Sequence, residues 1–323
     1  MAHFDVFNGD ADGICALHQL RLSRPREATL VTGAKRDIAL IKRVPAQPGD
    51  SLTVLDISFD ANRAALCALL DQGVHIEYFD HHHAGELPMK VNLAAHIDTT
   101  AQVCTSVLVD RHLRGQHRRW AITAAFGDNL QATAHELARE AGLDEAQVAQ
   151  LCELGESINY NAYGDSADDL FIAPAALYGM LKPYADPFEF IAAEPVVARL
   201  SACRQEDLER AQQVTPLFMV QYGTVCVLPD EPWARRVRGV FANALAQEEP
   251  TCAHAVLSVN PDGNYAVSVR APLVRPSGAD ELCRAFPGGN GRVGAAGIDS
   301  LDAARLDLFV TGFVRVFGRS SLR

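Results

Sequence analysis

A chain of 323 residues, 48% hydrophobic and 21% charged, is long enough for two domains with their own cores and excludes a disordered or fibrous protein. No apolar run approaches the roughly 20 residues that span a bilayer, so no membrane partner is expected. A formal net charge of -11 and a pI near 5.4 argue against double-stranded DNA, because proteins that neutralise a duplex backbone present a basic face.

The opening stretch MAHFDVFNGD has acids where an export signal would carry basic and apolar regions, which predicts a cytoplasmic location. Residues 3–7 (HFDVF) predict a strand, followed by a helix from about Gly13 to Arg21. Residues 28–33 (ATLVTG) and 51–58 (SLTVLDIS) read as strands, and a helix from about Asp60 to Asp71 precedes another strand over 74–79 (VHIEYF). Strands spaced by helices in this way predict an α/β fold with a doubly wound, mainly parallel sheet. Residues 101–113, 117–127, 133–141 and 144–157 are helical by pattern. A further helical stretch from about Asp186 to Val214 leads out of this domain, with Pro195 expected to break or kink it.

The texture changes near residue 222. Residues 223–229, 253–272 and 305–318 read as strands, with NPDG (260–263) as a turn, and 231–248 and 277–289 read as helices. The expected organisation is a domain over 1–190, a helical linker over 191–218 and a smaller mixed α/β domain over 219–323. The eight cysteines are scattered singly without a CxxC pair and read as reduced core residues.

The chemistry-bearing residues recur at one kind of place. Asn8, Asp10 and Asp12 (NGDADG) follow the first strand, Asp56 closes the third, and Asp80, His81, His82 and His83 follow the fourth. Asp128 ends an otherwise apolar helix in AAFGDN. Ligands of open α/β sheets bind outside the carboxyl ends of the strands, so these groups can converge on a small volume. The DHHH run by itself admits two readings: a split site with one imidazole on an ion and one on a substrate, or an exposed polar loop. Convergent carboxylates repel unless cations sit between them. Several Asp with one or two His suit Mn²⁺ or Mg²⁺, or Co²⁺, better than a thiolate-rich zinc site would. A carboxylate bridging two such ions, roughly 3.5–4 Å apart, holds a hydroxide and clamps a phosphoryl group.

NGDADG, LDIS, DHHH and GDN, in this order, resemble the four motifs of the DHH phosphoesterase superfamily, and in the RecJ-like, oligoribonuclease-like group the C-terminal part resembles the DHH-associated domain. There SVRAP (268–272) and GGNGRVGAAG (288–297) stand where that domain carries its arginine strand and glycine-rich substrate loop. The resemblance covers nearly the whole chain. It implies an active-site cleft between two domains that hinge closure completes, and two divalent ions per chain. Asp10 and Asp56, with Asn8 as a neutral donor, would hold the first ion. Asp12, Asp56, His81 and Asp128 would hold the second, with Asp56 bridging. Asp80 would orient His81, and His82 would face the scissile phosphate. Arg270, Gly289, Asn290, Gly291 and Arg292 would grip the nucleotide, while His83 has no role.

The chain departs from the family at Val6, where small-substrate members carry His, and at Asn8, where RecJ-type exonucleases carry Asp; the first ion should therefore bind more weakly. Arg292 stands where a His is usual and is the better bidentate phosphate ligand. The implied activity is hydrolysis of phosphate esters of short nucleotides by a hydroxide held between two ions. Substrates would be nano-RNA or short single-stranded oligonucleotides, dinucleotides or 3′-phosphoadenosine 5′-phosphate. A rival reading is a catalytically weak nucleotide sensor with one incomplete metal site, favoured by Val6 and Asn8 and opposed by the intact Asp10, Asp12, Asp56, His81 and Asp128. An inorganic pyrophosphatase of the same superfamily is a weaker rival, since those enzymes lack the glycine-rich loop. The basic stretch 111–120 (RHLRGQHRRW) reads as a solvated helix face, and exposed helices beyond the sheet could pair two chains as a homodimer.

Overall fold

A computed structural model describes residues 1–260 and 262–318, so the turn expected over 260–263 lies in part outside the described residues at Pro261. The chain divides into two compact units, one over Met1–Ala202 and a second from Cys203 onward.

The first unit is built on five parallel strands, β1 (His3–Asn8), β2 (Thr29–Gly33), β3 (Ser51–Leu55), β4 (His75–Asp80) and β5 (Leu93–Ile97), in the order β2-β1-β3-β4-β5. The pleat sends alternate residues to opposite faces. Phe4, Val6, Leu52, Val54, Ile76 and Tyr78 enter a core covered by α2 (Phe59–Asp71). Phe7, Leu55 and Phe79 enter the larger core on the other face, with α1 (Ala11–Ser23), α3 (Thr105–His112), α4 (Arg118–Gly127), α5 (Gln131–Glu140) and α6 (Glu145–Ala162). Apolar side chains on both faces of a strand are the mark of a covered parallel sheet. Short helices α7 (Pro174–Leu181) and α8 (Pro187–Ala193) follow. Helix α9 (Pro195–Gln212) starts on Pro195 and is separated from α8 at Glu194, the break that the proline dictates. The division between the units falls inside α9.

The second unit carries β6 (Phe218–Val220), β7 (Gly223–Leu228), α10 (Pro232–Glu248), β8 (Ala253–Val259), β9 (Tyr265–Arg270), α11 (Ala279–Arg284), β10 (Gly289–Arg292), β11 (Ala295–Leu301) and α12 (Leu306–Phe317). Its sheet runs β10-β11-β9-β8-β7-β6, with β7 and β8 parallel and the other pairs antiparallel.

Two expectations are corrected here. Residues 305–318 form helix α12, not a strand: Val310, Thr311, Val314 and Val316 suggest β structure, but Phe309, Phe313 and Phe317 recur every four residues and fill the core of this unit. Burying each aromatic contributes about 1.5–3 kcal/mol, which outweighs the few tenths that β-branched residues cost a helix. The glycine-rich segment is a hairpin of β10 and β11, not an open loop, pairing Arg292 with Ala295. Cys15, Cys67, Cys104, Cys226, Cys252 and Cys283 form no disulfide. Among the described residues no helix is long and apolar enough to cross a membrane.

Candidate metal centre

The carboxyl ends of β1, β2, β3 and β4 deliver one polar side chain after another to the same edge of the first unit's sheet. The chain leaves β1 at Asn8 and turns straight into α1, so tightly that a Cβ on Gly13 would lie 2.1 Å from the Asn8 carbonyl oxygen. Asp10 caps α1: its Oδ1 accepts the backbone N–H groups of Asp12 and Gly13, both at 3.0 Å. The buried Asp12 reaches the start of α3, where its two oxygens accept the N–H groups of Thr105 (2.7 Å) and Ser106 (2.6 Å). A helix N-terminus favours a negative charge, and here it fixes that carboxylate in one orientation.

Asp56 follows β3 with φ at 57°, a left-handed conformation that a non-glycine residue adopts only where its surroundings enforce it. Its Oδ1 accepts from the Thr105 hydroxyl at 3.3 Å and lies 3.4 Å from His81 Nε2 and 3.9 Å from His82 Nδ1. Asp128 caps the C-terminus of α4. That helix sits hard against α6, since a Cβ on Gly155 would lie 2.1 Å from the Thr123 carbonyl oxygen.

The three consecutive histidines separate in role. His81 donates from Nδ1 to the Val103 carbonyl at 3.1 Å, which leaves Nε2 facing Asp56. His82 donates from Nδ1 to Asp80 Oδ1 at 2.7 Å and is 45% exposed. The fully buried Asp80 also accepts the backbone N–H of His81 at 2.9 Å, and its Oδ2 has no hydrogen-bond partner among the described residues. The expected contact of Asp80 with the His81 ring is therefore corrected. The carboxylate orients the His82 ring, and a main-chain carbonyl orients that of His81. His83 is exposed.

Burial and mutual repulsion set the charge of the cluster. Burial, then the charges of Asp10 and Asp12, push Asp56 well above the usual carboxylate range. Burial also raises Asp12. Asp10 is held below its usual value in spite of burial, because the Lys35 ammonium lies 2.6 Å from its Oδ2. Burial alone would lower His81, but Asp56, Asp12 and Asp128 carry it up to about 10. An imidazole nitrogen and carboxylates gathered this closely require a cation among them, whether a proton or a metal. Ligand atoms of Asp12, His81 and Asp128 lie within 4.8 Å of one another, as do those of Asp56, His81 and His82. Hard oxygens with one imidazole are a fitting donor set for Mn²⁺ or Mg²⁺. Cys15 and Cys104 border the cluster, but burial keeps both thiols protonated.

Of the expected first-ion residues, Asp10 lies beside Asp56. Asp10 belongs to neither of the two clusters, and Asn8 uses its Oδ1 to accept the Asp10 N–H at 3.3 Å. Lys35, which the sequence reading missed, also donates toward Asp128 Oδ1 at 3.5 Å and Asn159 Oδ1 at 3.4 Å. A signal for it existed: TGAKRD places Lys35 two residues beyond β2, at the same strand edge as the acids. Thr105 and Ser106 were missed as well. They act largely through main-chain N–H groups, which residue type does not reveal.

The second unit holds the remaining candidates. Arg270 ends β9 and donates from Nε to Asn243 Oδ1 at 2.6 Å. It pairs with Ala295, which pairs with Arg292, so one rung of the sheet carries both arginines. Gly289, Asn290 and Gly291 precede Arg292 on the edge strand β10, with Asn290 and Arg292 exposed. In the basic stretch 111–120, Trp120 is buried, while Arg111 pairs with Asp98, Arg118 with Asp110 and Glu140, and Arg119 with Asp186.

No protein-family profile matches the chain, and no curated protein sequence matches it. Solved structures do. A manganese-bound exonuclease RecJ aligns over 97% of this chain and 89% of its own, with a TM-score of 0.62 at 18% identity. The pGpG-specific phosphodiesterase PggH of Vibrio cholerae aligns over 98% of both chains, with a TM-score of 0.55 at 15% identity. An exopolyphosphatase-related protein of Bacteroides fragilis aligns over 98% of this chain and 91% of its own, with a TM-score of 0.51 at 13% identity. The chain shares the fold of these structures, that of the exonuclease RecJ among them.

Proposed function

We propose that the chain is a metal-dependent phosphoesterase that hydrolyses phosphate esters of short nucleotides. One observation carries this reading: Asp12, Asp56, His81 and Asp128 arrive from separate elements, and two overlapping sets of ligand atoms, joined at His81, each lie within 4.8 Å at the carboxyl edge of a parallel sheet. The solved neighbours, an exonuclease crystallised with manganese and a dinucleotide phosphodiesterase among them, support it. A divalent cation on those residues would supply Lewis acidity toward water and a phosphate oxygen. The protein's own residues supply the rest. Helix α3 holds Asp12 and the Val103 carbonyl holds His81, so the donors need little reorganisation. His82, set by Asp80 and open to solvent, faces the phosphate and either stabilises its charge or passes a proton. Arg270 and Arg292, with Gly289, Asn290 and Gly291, bind the nucleotide part through its phosphates.

Small or short single-stranded substrates fit the acidic chain best: short oligonucleotides, dinucleotides or 3′-phosphoadenosine 5′-phosphate. The experiment is a panel of these and pyrophosphate, each incubated with Mn²⁺-loaded protein and with Asp12→Asn. Cleavage of one nucleotide by the intact protein alone is expected. Nucleotide binding without cleavage of any would favour the rival reading of a sensor, which the neutral Asn8 supports.

A further inference from the structure

Where the family resemblance calls for a first divalent ion, this chain presents an ammonium group. Lys35 Nζ is 2.6 Å from Asp10 Oδ2, 3.5 Å from Asp128 Oδ1 and 3.4 Å from Asn159 Oδ1. Three acceptors match the three donors of a lysine ammonium. The fold fixes the main chain that carries this side chain. Lys35 follows β2 directly, and its backbone N–H donates to the Ala162 carbonyl at 3.0 Å, at the end of α6. Asn159 comes from the same helix, one turn earlier.

The would-be ligands of a first ion have changed to match. Val6 is wholly buried in the core, and Asn8 is neutral, with its oxygen taken by the Asp10 N–H. The pocket thus has one acid fewer and one cation more than a two-ion centre of this resemblance would have. A divalent ion on Asp10 Oδ2 would sit at about 2.0–2.6 Å from that oxygen, in the space the ammonium fills.

We propose that Lys35 takes the place of the first divalent cation, so that the chain holds one divalent ion, on Asp12, Asp56, His81 and Asp128, beside a fixed ammonium on Asp10. The inference rests on reading the cluster as a hydrolytic metal centre. It makes the centre a hybrid. One positive charge is metal-borne and exchangeable, and the other is covalently part of the chain and does not depend on metal supply.

The test is a count of bound Mn²⁺ by equilibrium dialysis and metal analysis, with low-temperature electron paramagnetic resonance. The proteins are the full-length wild type, Lys35→Ala and the double variant Asn8→Asp/Lys35→Ala. The expected result is one Mn²⁺ per wild-type chain with the signal of an isolated ion. The double variant should bind two, with the broadened signal of a coupled pair. Two ions on the wild-type chain would overturn the proposal and leave the phosphoesterase reading intact. One ion on both proteins would also overturn it, since Lys35 would not be what excludes the second. No Mn²⁺ on the wild type would instead remove the metal centre itself. The wild-type count stands even if a variant fails to fold.

Discussion

His18 shows how far burial can move a single side chain. Its Nε2 donates to the Tyr184 carbonyl at 2.7 Å, its Nδ1 is buried without a partner among the described residues, and its ring meets the edge of Trp120. Burial pushes its pKa down to about 4 from 6.5. Above pH 6.5 the residue is neutral in both states and adds no pH dependence. As the pH falls toward 4, the unfolded chain takes up a proton that the folded chain refuses, and stability is lost, by up to roughly 3 kcal/mol. His18→Gln should flatten the acid limb of the first unit's stability between these values, as measured by urea unfolding at several pH values. An unchanged slope would show that the imidazole is not what titrates.

Asp80→Asn is predicted to lower kcat by roughly 10–100-fold while Mn²⁺ affinity stays nearly unchanged, because the carboxylate serves the His82 ring. A parallel loss of metal affinity would mean that it serves His81 after all. At this scale the sequence was informative wherever chemistry depends on side-chain type. Asp10, Asp12, Asp56 and His81 stood out as candidates because acids and imidazoles follow strand after strand, and Asp128 because it ends an apolar helix. Lys35 was not, since a lone lysine beside an arginine looks like solvated surface until the fold brings Asp10 to it. The assignment of Asp80 to the wrong imidazole has a similar origin: adjacency in sequence does not say which ring a rotamer brings within 2.7 Å.

Helices and strands place these side chains, and their packing is a second level at which the centre can be broken. Asp128 owes its position to α4, which lies against α6 with no room for a methyl group at Gly155. Gly155→Ala should push the helices apart and weaken Mn²⁺ binding by tenfold or more, read by calorimetric titration. Binding that is unchanged in a folded variant would detach Asp128 from the ligand set. In the second unit, Phe313→Ala should cost about 3–5 kcal/mol, because its ring is fully buried and fills the space over Gly223. Element type was legible where one period dominated, as in the alternating β1, β3 and β4. It failed in α12, where β-branched residues masked a four-residue aromatic repeat. The short strands β5, β6, β10 and β11 were not anticipated: the three residues of β6 are too few to show a period, and glycine or alanine weakens it in the others.

At the scale of the molecule, metal binding and folding of the first unit are linked. Unpaired with cations, Asp10, Asp12, Asp56 and Asp128 repel one another in a buried setting, so an ion that binds only the folded form stabilises it. At a free Mn²⁺ concentration a hundredfold above Kd, the gain is about 2.7 kcal/mol. The melting transition of the first unit should therefore rise on adding Mn²⁺ and fall back with a chelator, and Asp12→Asn should abolish the response. A second-unit transition that moves equally would contradict this localisation.

The central claim is that the cluster at the sheet edge uses water to cleave a phosphate ester. It is tested most directly by running the reaction in ¹⁸O-labelled water with Mn²⁺-loaded protein and a linear dinucleotide, then weighing the phosphate-bearing product by mass spectrometry. The account predicts one ¹⁸O atom in that product from the wild type and no product from Asp12→Asn. A wild-type protein that binds both Mn²⁺ and the dinucleotide yet releases no labelled product would contradict it.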